Sequence, residues 1–140
     1  MKPIHALVPM AHVHDIHKSI AFYRDMLGFA VRSTVENHGR TVWAALESGL
    51  AQLMLAAASG PVAPEDQAVL FYLYSDDVHT LHRELIARGL MDGGRYCGTN
   101  PPNSDGRCVV FEPSYPPYMP EGEIRVADPD GYCLLIGQSG

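Results

Sequence analysis

Lysine is almost missing from this chain. Only Lys2 and Lys18 occur in 140 residues, and ten basic side chains stand against sixteen acidic ones, a net charge of −6. Such a surface offers no cationic face to a phosphate backbone or an anionic membrane, so no nucleic acid and no membrane partner is expected. The charge serves solubility, and where a ligand is concerned it favours a neutral or cationic one. Cysteine is scarce too: Cys97, Cys108 and Cys133 form no CxxC pair and no zinc-like spacing, so neither a disulfide framework nor a structural zinc is indicated. No window approaches the ~18 apolar residues of a membrane span, and MKPIHALVPMAHVHD lacks the apolar run of a signal peptide, which points to the cytoplasm. There is no G-x-S-x-G, no phosphate loop and no dinucleotide fingerprint.

What remains is a 46% hydrophobic chain long enough for one sizeable core, expected as a single domain over 1–140. The same plan runs through it twice. Residues 4–11, IHALVPMA, have strand character, and Asp15 is placed to cap a helix whose Ile16, Ile20, Tyr23 and Leu27 form one apolar face, ended by Gly28. Residues 68–74, AVLFYLY, form a second strand; Asp76 or Asp77 then caps a helix with Val78, Leu81 and Leu85 on one face, ended by Gly89. Strands follow each helix: 29–36, 40–48 and 51–58 in the first half, then RYCGT at 95–99, GEIRVA at 122–127 and YCLLIG at 132–137. The internal repeat comprises modules 1–60 and 66–140. The second is interrupted by a long stretch at 100–121 that holds six of the eleven prolines with Phe111, Tyr115 and Tyr118. That stretch reads either as a flap packing its own aromatics or as part of a binding site.

The run DIHKSIAFYRDMLGF at 15–29 and the closing DPDGY at 128–132, set in a repeated chain of this length, resemble the vicinal oxygen chelate superfamily, which includes glyoxalase I, extradiol dioxygenases and bleomycin-resistance proteins. The resemblance covers essentially the whole chain. It implies an α+β fold of two βαβββ modules with strands curled around a shared cavity and helices outside. A homodimer is implied as well, with modules paired within one chain or swapped between two.

Metal-dependent members carry four His, Gln or Glu ligands on the inner strands. Counted from the helix-ending glycines and the closing turn, those positions hold Val8, Met54, Leu70 and Leu135. None offers an oxygen or nitrogen donor, so no metal and no other cofactor is expected. The alternative is a displaced metal site using His12 and His14. Cys133 shares a strand face with Leu135, but no activating base or positive neighbour is visible beside it in the sequence.

The metal-free members that the chain resembles are drug-binding proteins that confer antibiotic resistance. The expected function is therefore metal-independent binding of a small molecule, a drug or a metabolite. The expected pocket comprises Val8, Met10, Trp43, Gln52, Met54, Leu70, Tyr72, Tyr74, Tyr115, Tyr118, Arg125, Cys133 and Leu135, with Arg125 either holding an anionic group or pairing with Glu123. Side chains of these types on inner strands are more often ordinary core than ligand contacts. The alternative function is a lyase, isomerase or dioxygenase with a displaced or metal-free active site, and a third reading is a non-catalytic scaffold.

Overall fold

Asp15 starts the first helix as expected. Its carboxylate accepts from the Lys18 N–H at 3.1 Å, satisfying one of the donors that a helix start leaves open, and α1 (Ile16–Ala21) follows. A π-helical turn, Phe22–Met26, continues it. The wider turn accommodates an extra residue and buries Phe22 and Tyr23 side by side, their rings 5.1 Å apart at 90°, while Leu27 is only half-buried. Gly28, at φ 75°, ends the run, and the Phe29 N–H turns back to donate to the Tyr23 carbonyl at 3.0 Å.

The computed structural model describes residues 3–63, 66, 68–98 and 108–140. They form a mixed α+β structure in two compact units, 1–62 and 63–140. In the first unit, β1 (Met10–Val13), β2 (Ala30–Asn37), β3 (Arg40–Ser48) and β4 (Ala51–Ala57) make one sheet in the order β1-β4-β3-β2. Strand β1 runs parallel to β4 and the other pairs are antiparallel. Ala11, Val13, Ala44, Leu46, Leu53 and Leu55 are buried on the face that receives α1. The expected strand at 4–11 is corrected here: residues 4–8 lie outside the ladder. Pro9 has no N–H to give, although its carbonyl accepts from Met54 at 2.9 Å, so pairing is established only from Met10 onward.

The second unit repeats the topology with one strand added. Asp77, not Asp76, caps α2 (Val78–Ala87), accepting from the Thr80 N–H at 3.0 Å, and Gly89 at φ 112° follows. Strands β5 (Leu70–Ser75), β6 (Met91–Asp92), β7 (Val109–Val110), β8 (Glu123–Ala127) and β9 (Cys133–Gln138) order as β5-β9-β8-β7-β6, again with the first strand parallel to the last. Helix α2 packs on β7, β8 and β9.

Two expectations change in this unit. Arg95–Gly98 form no strand, because Gly93 and Gly94 break the chain after β6: Asp92 Oδ1 accepts from the Gly94 N–H at 2.9 Å, and Gly94 takes a φ of 63°. Thr99 lies outside the described residues. The stretch 100–121 is not wholly irregular either. Its residues 100–107 lie outside the described residues, but Val109–Val110 pair with Val126 and Ala127, and Ser114 bridges Glu123. Among the described residues, no helix is long and apolar enough to cross a membrane.

Candidate binding groove

Strand pairing decides which side chains meet. On β5, Leu70, Tyr72 and Tyr74 point to the face away from α2; their register partners are Cys133, Leu135 and Gly137 on β9, which in turn oppose Ala127, Arg125 and Glu123 on β8. Six of the expected pocket residues therefore share one face of the second sheet: Leu70, Tyr72, Tyr74, Arg125, Cys133 and Leu135. Tyr72, Tyr74, Tyr118, Met119 and Leu135 line a groove of about 500 Å³ on it. In the first unit, Met10, Trp43, Gln52 and Met54 share the sheet face opposite α1, with Met10 and Met54 as register partners. Val8 is half-buried and precedes the strand. The expected set thus forms two groups, one in each unit.

The residue that organises the groove is Glu123. Its Oε2 accepts from the Tyr72 hydroxyl at 2.7 Å and its Oε1 from the Tyr118 hydroxyl at 3.0 Å, while the residue itself is 6% exposed. Burial, with the bond to Glu123 as the next contribution, holds the Tyr72 phenol well above its ordinary range, and the same two causes raise that of Tyr118. Both phenols therefore remain protonated donors at neutral pH. Tyr72 sits 5.3 Å from Tyr74 and 6.4 Å from Tyr118, centroid to centroid, with the planes tilted by 55° and 65°.

Gly137 is what lets Tyr72 lie down on the sheet. A Cβ there would stand 2.6 Å from both the Tyr72 hydroxyl and Met119 Cε. Both obstacles are ends of flexible side chains, so Gly137→Ala is expected to fold with a loss of only about 1–3 kcal/mol. Tyr72 should nonetheless be levered away from Glu123. Chemical denaturation measures the first effect, and the ring signals of Tyr72 by NMR report the second; unchanged Tyr72 shifts would contradict it.

A second groove of about 460 Å³ lies beside the first, lined in part by Arg95, Tyr96, Phe111, Tyr115, Glu123 and Arg125. Arg125 does not pair with Glu123. Its guanidinium stacks 4.0 Å above the Tyr96 ring and donates to Cys133 Sγ at 3.0 Å. Cys133 consequently has a positive neighbour that only the fold brings to it, yet burial outweighs Arg125 and pushes the thiol up, which suits a packed side chain better than a nucleophile. Tyr115 is turned to the rim, where its hydroxyl meets His79 Nε2 at 2.9 Å.

The side chains at the four positions that the superfamily resemblance assigns to metal ligands decide whether a metal fits. Val8, Met54, Leu70 and Leu135 carry no hard donor, and Leu135 forms part of the groove wall. His12 lies on β1 opposite Ala56, and among the described residues no three His, Cys, Asp or Glu side chains gather as a possible metal set. The residues present do not fit the ion.

Comparison with known proteins agrees with this architecture. The family model of the Glyoxalase/Bleomycin resistance protein/Dioxygenase superfamily matches residues 5–135. No curated protein matches the sequence significantly. Among solved structures, the bleomycin-binding protein of Streptomyces verticillus, complexed with copper(II)-bleomycin, shares 19% identity at a TM-score of 0.71, covering all of both chains. A bleomycin resistance determinant encoded on transposon Tn5 shares 20% identity over 97% of this chain and 98% of its own, at 0.70. TnmS3, an antibiotic binding protein from Streptomyces sp. CB03234, shares 20% over 100% and 99%, at 0.68.

Proposed function

The chain belongs to the glyoxalase/bleomycin resistance protein/dioxygenase superfamily, and from that premise we propose that it is a small-molecule binding protein of the drug-sequestering kind, working without a metal ion. The observation that carries this reading is Leu135. At the position where the superfamily's metal enzymes place a glutamate, this chain has an apolar wall residue, and above it three tyrosines line an open groove. The fold is shared with proteins described as binding bleomycin or an antibiotic, which supports a binding role over turnover. The reading includes a homodimer acting in the cytoplasm.

Isothermal titration of the full chain with metal-free bleomycin and a panel of aromatic antibiotics, with and without EDTA, tests it. Saturable binding at micromolar concentration or tighter is expected, unchanged by the chelator, with the ligand recovered intact by mass spectrometry. Affinity abolished by EDTA, or a chemically altered ligand, would overturn the proposal in favour of a metal-dependent enzyme.

A further inference from the structure

Glu123 is a buried carboxylate with an unusual escort. Both of its oxygens are held by phenols, its backbone is tied to Ser114 in both directions at 2.9 Å, and among the described residues no Lys, Arg or His forms an ion pair with it. Arg125, two residues along the same strand face, is the obvious candidate and is turned elsewhere, onto Tyr96 and Cys133. A buried negative charge without a cation is costly, and phenol hydrogen bonds offset only part of that cost. Glu123 itself borders the second groove, with Arg95 and Arg125, and meets the tyrosine groove only through the two phenols that line it, Tyr72 and Tyr118.

The rings that stand there suit one class of cation. A phenol that donates to a carboxylate gains electron density on its ring, and the ring face attracts positive charge more strongly as a result. Tyr72 and Tyr118 are both in that state, Tyr74 lies against Tyr72, and the three rings are tilted to one another so that their faces address the groove from different directions. They are 37%, 66% and 68% exposed for Tyr72, Tyr118 and Tyr74, so the faces are accessible in this chain. Met119 and Leu135 complete the lining without adding a charge. A primary ammonium entering here would shed water and find its hydrogen bonds poorly replaced, because the lining is tyrosine, Met119 and Leu135 and does not include the Glu123 carboxylate. An ammonium carrying alkyl groups has little such hydration to lose and presents apolar surface to Met119 and Leu135.

We infer that the groove formed by Tyr72, Tyr74 and Tyr118 over Glu123 binds an alkylated ammonium group of the ligand. The inference rests on the small-molecule reading above and specifies which ligands it concerns. Glu123 acts in it as a positioning residue: it orients and polarises the rings and supplies negative charge from beneath them.

The test compares choline with its neutral carbon isostere, dimethylbutanol, which has the same shape and no charge, by ligand-observed NMR and titration on the full wild-type chain. Choline should bind about tenfold or more tighter, the size expected when one cation meets several ring faces. In Glu123→Gln the preference should fall toward parity, and in Tyr118→Phe, which keeps the ring and loses the hydroxyl, it should fall partway. The wild-type comparison decides the matter even if a variant fails to fold. Equal binding of the two probes would overturn the cation assignment and leave small-molecule binding standing. The same holds if neither probe binds while metal-free bleomycin does. If bleomycin and the antibiotic panel fail as well, the proposed function itself falls.

Discussion

Phe111→Ala is expected to lower folding stability by about 3–5 kcal/mol, the usual cost of emptying a phenylalanine site in a packed core. Phe111 is 1% exposed and clusters with Val109, Ala127 and the partly buried Met91, while the Tyr96 ring stands against it edge to face at 4.9 Å. The packing is tight enough that a Cβ on Gly93 would fall 2.6 Å from Phe111 Cε1 and 2.8 Å from Val109 Cγ2, so glycine is required where the chain passes the ring. Removal of the ring leaves a cavity that the paired strands β7 and β8 have little freedom to close. Against a total stability of about 5–15 kcal/mol, the loss is large. Urea denaturation should show a lower midpoint at an unchanged slope. A loss under about 1 kcal/mol would mean that the site had collapsed around the gap, with Tyr96 as the neighbour able to move in.

Much of this architecture was legible because local rules and tertiary packing agree. Asp15 and one of the two candidate caps, Asp77, start the helices, both helix-ending glycines stand where expected, and the strands expected at 40–48, 51–58 and 122–127 occur as Arg40–Ser48, Ala51–Ala57 and Glu123–Ala127. The parity argument that set Tyr72 and Tyr74 with Leu70, and Cys133 with Leu135, holds because a parallel ladder keeps each strand's alternation intact. The failures have separate causes. Residues 4–8 have strand-like side chains, but a strand needs a partner, and Pro9 breaks the ladder at the point where one would begin. The π-turn at Phe22–Met26 moved the helix stripe in a way that a 3.6-residue period cannot anticipate. The sequence offers Glu123 only as a partner for Arg125, since nothing in GEIRVA reveals that two tyrosines, one 51 residues away, converge on its carboxylate. Tyr96 and Met119 escaped notice for the same reason: their places in the two grooves depend on long-range contacts.

The closing turn carries the second large effect. Asp128 is 4% exposed, and its Oδ1 accepts from the backbone N–H groups of both Asp130, at 2.9 Å, and Tyr132, at 2.8 Å. The turn is closed around it by the Gly131 N–H donating to the Asp128 carbonyl at 3.0 Å, with Gly131 at φ 82°. Asp128→Ala strands two buried donors and removes two charge-assisted bonds, for an expected loss of about 2–4 kcal/mol. Asp128→Asn keeps an acceptor oxygen in the same place and should lose about 1 kcal/mol, so the gap between the two variants isolates the stranded donors from the missing charge. Thermal unfolding would separate them by several degrees, at about 3–5 °C per kcal/mol for a chain of this size. The turn adjoins the Ala127–Cys133 end of the β8–β9 ladder, whereas Glu123 and Gly137 pair at its far end. Ligand affinity measured well below the unfolding transition should therefore change little in either variant. A large affinity loss in a folded Asp128→Ala protein would show instead that the turn governs the register on which the tyrosine groove depends.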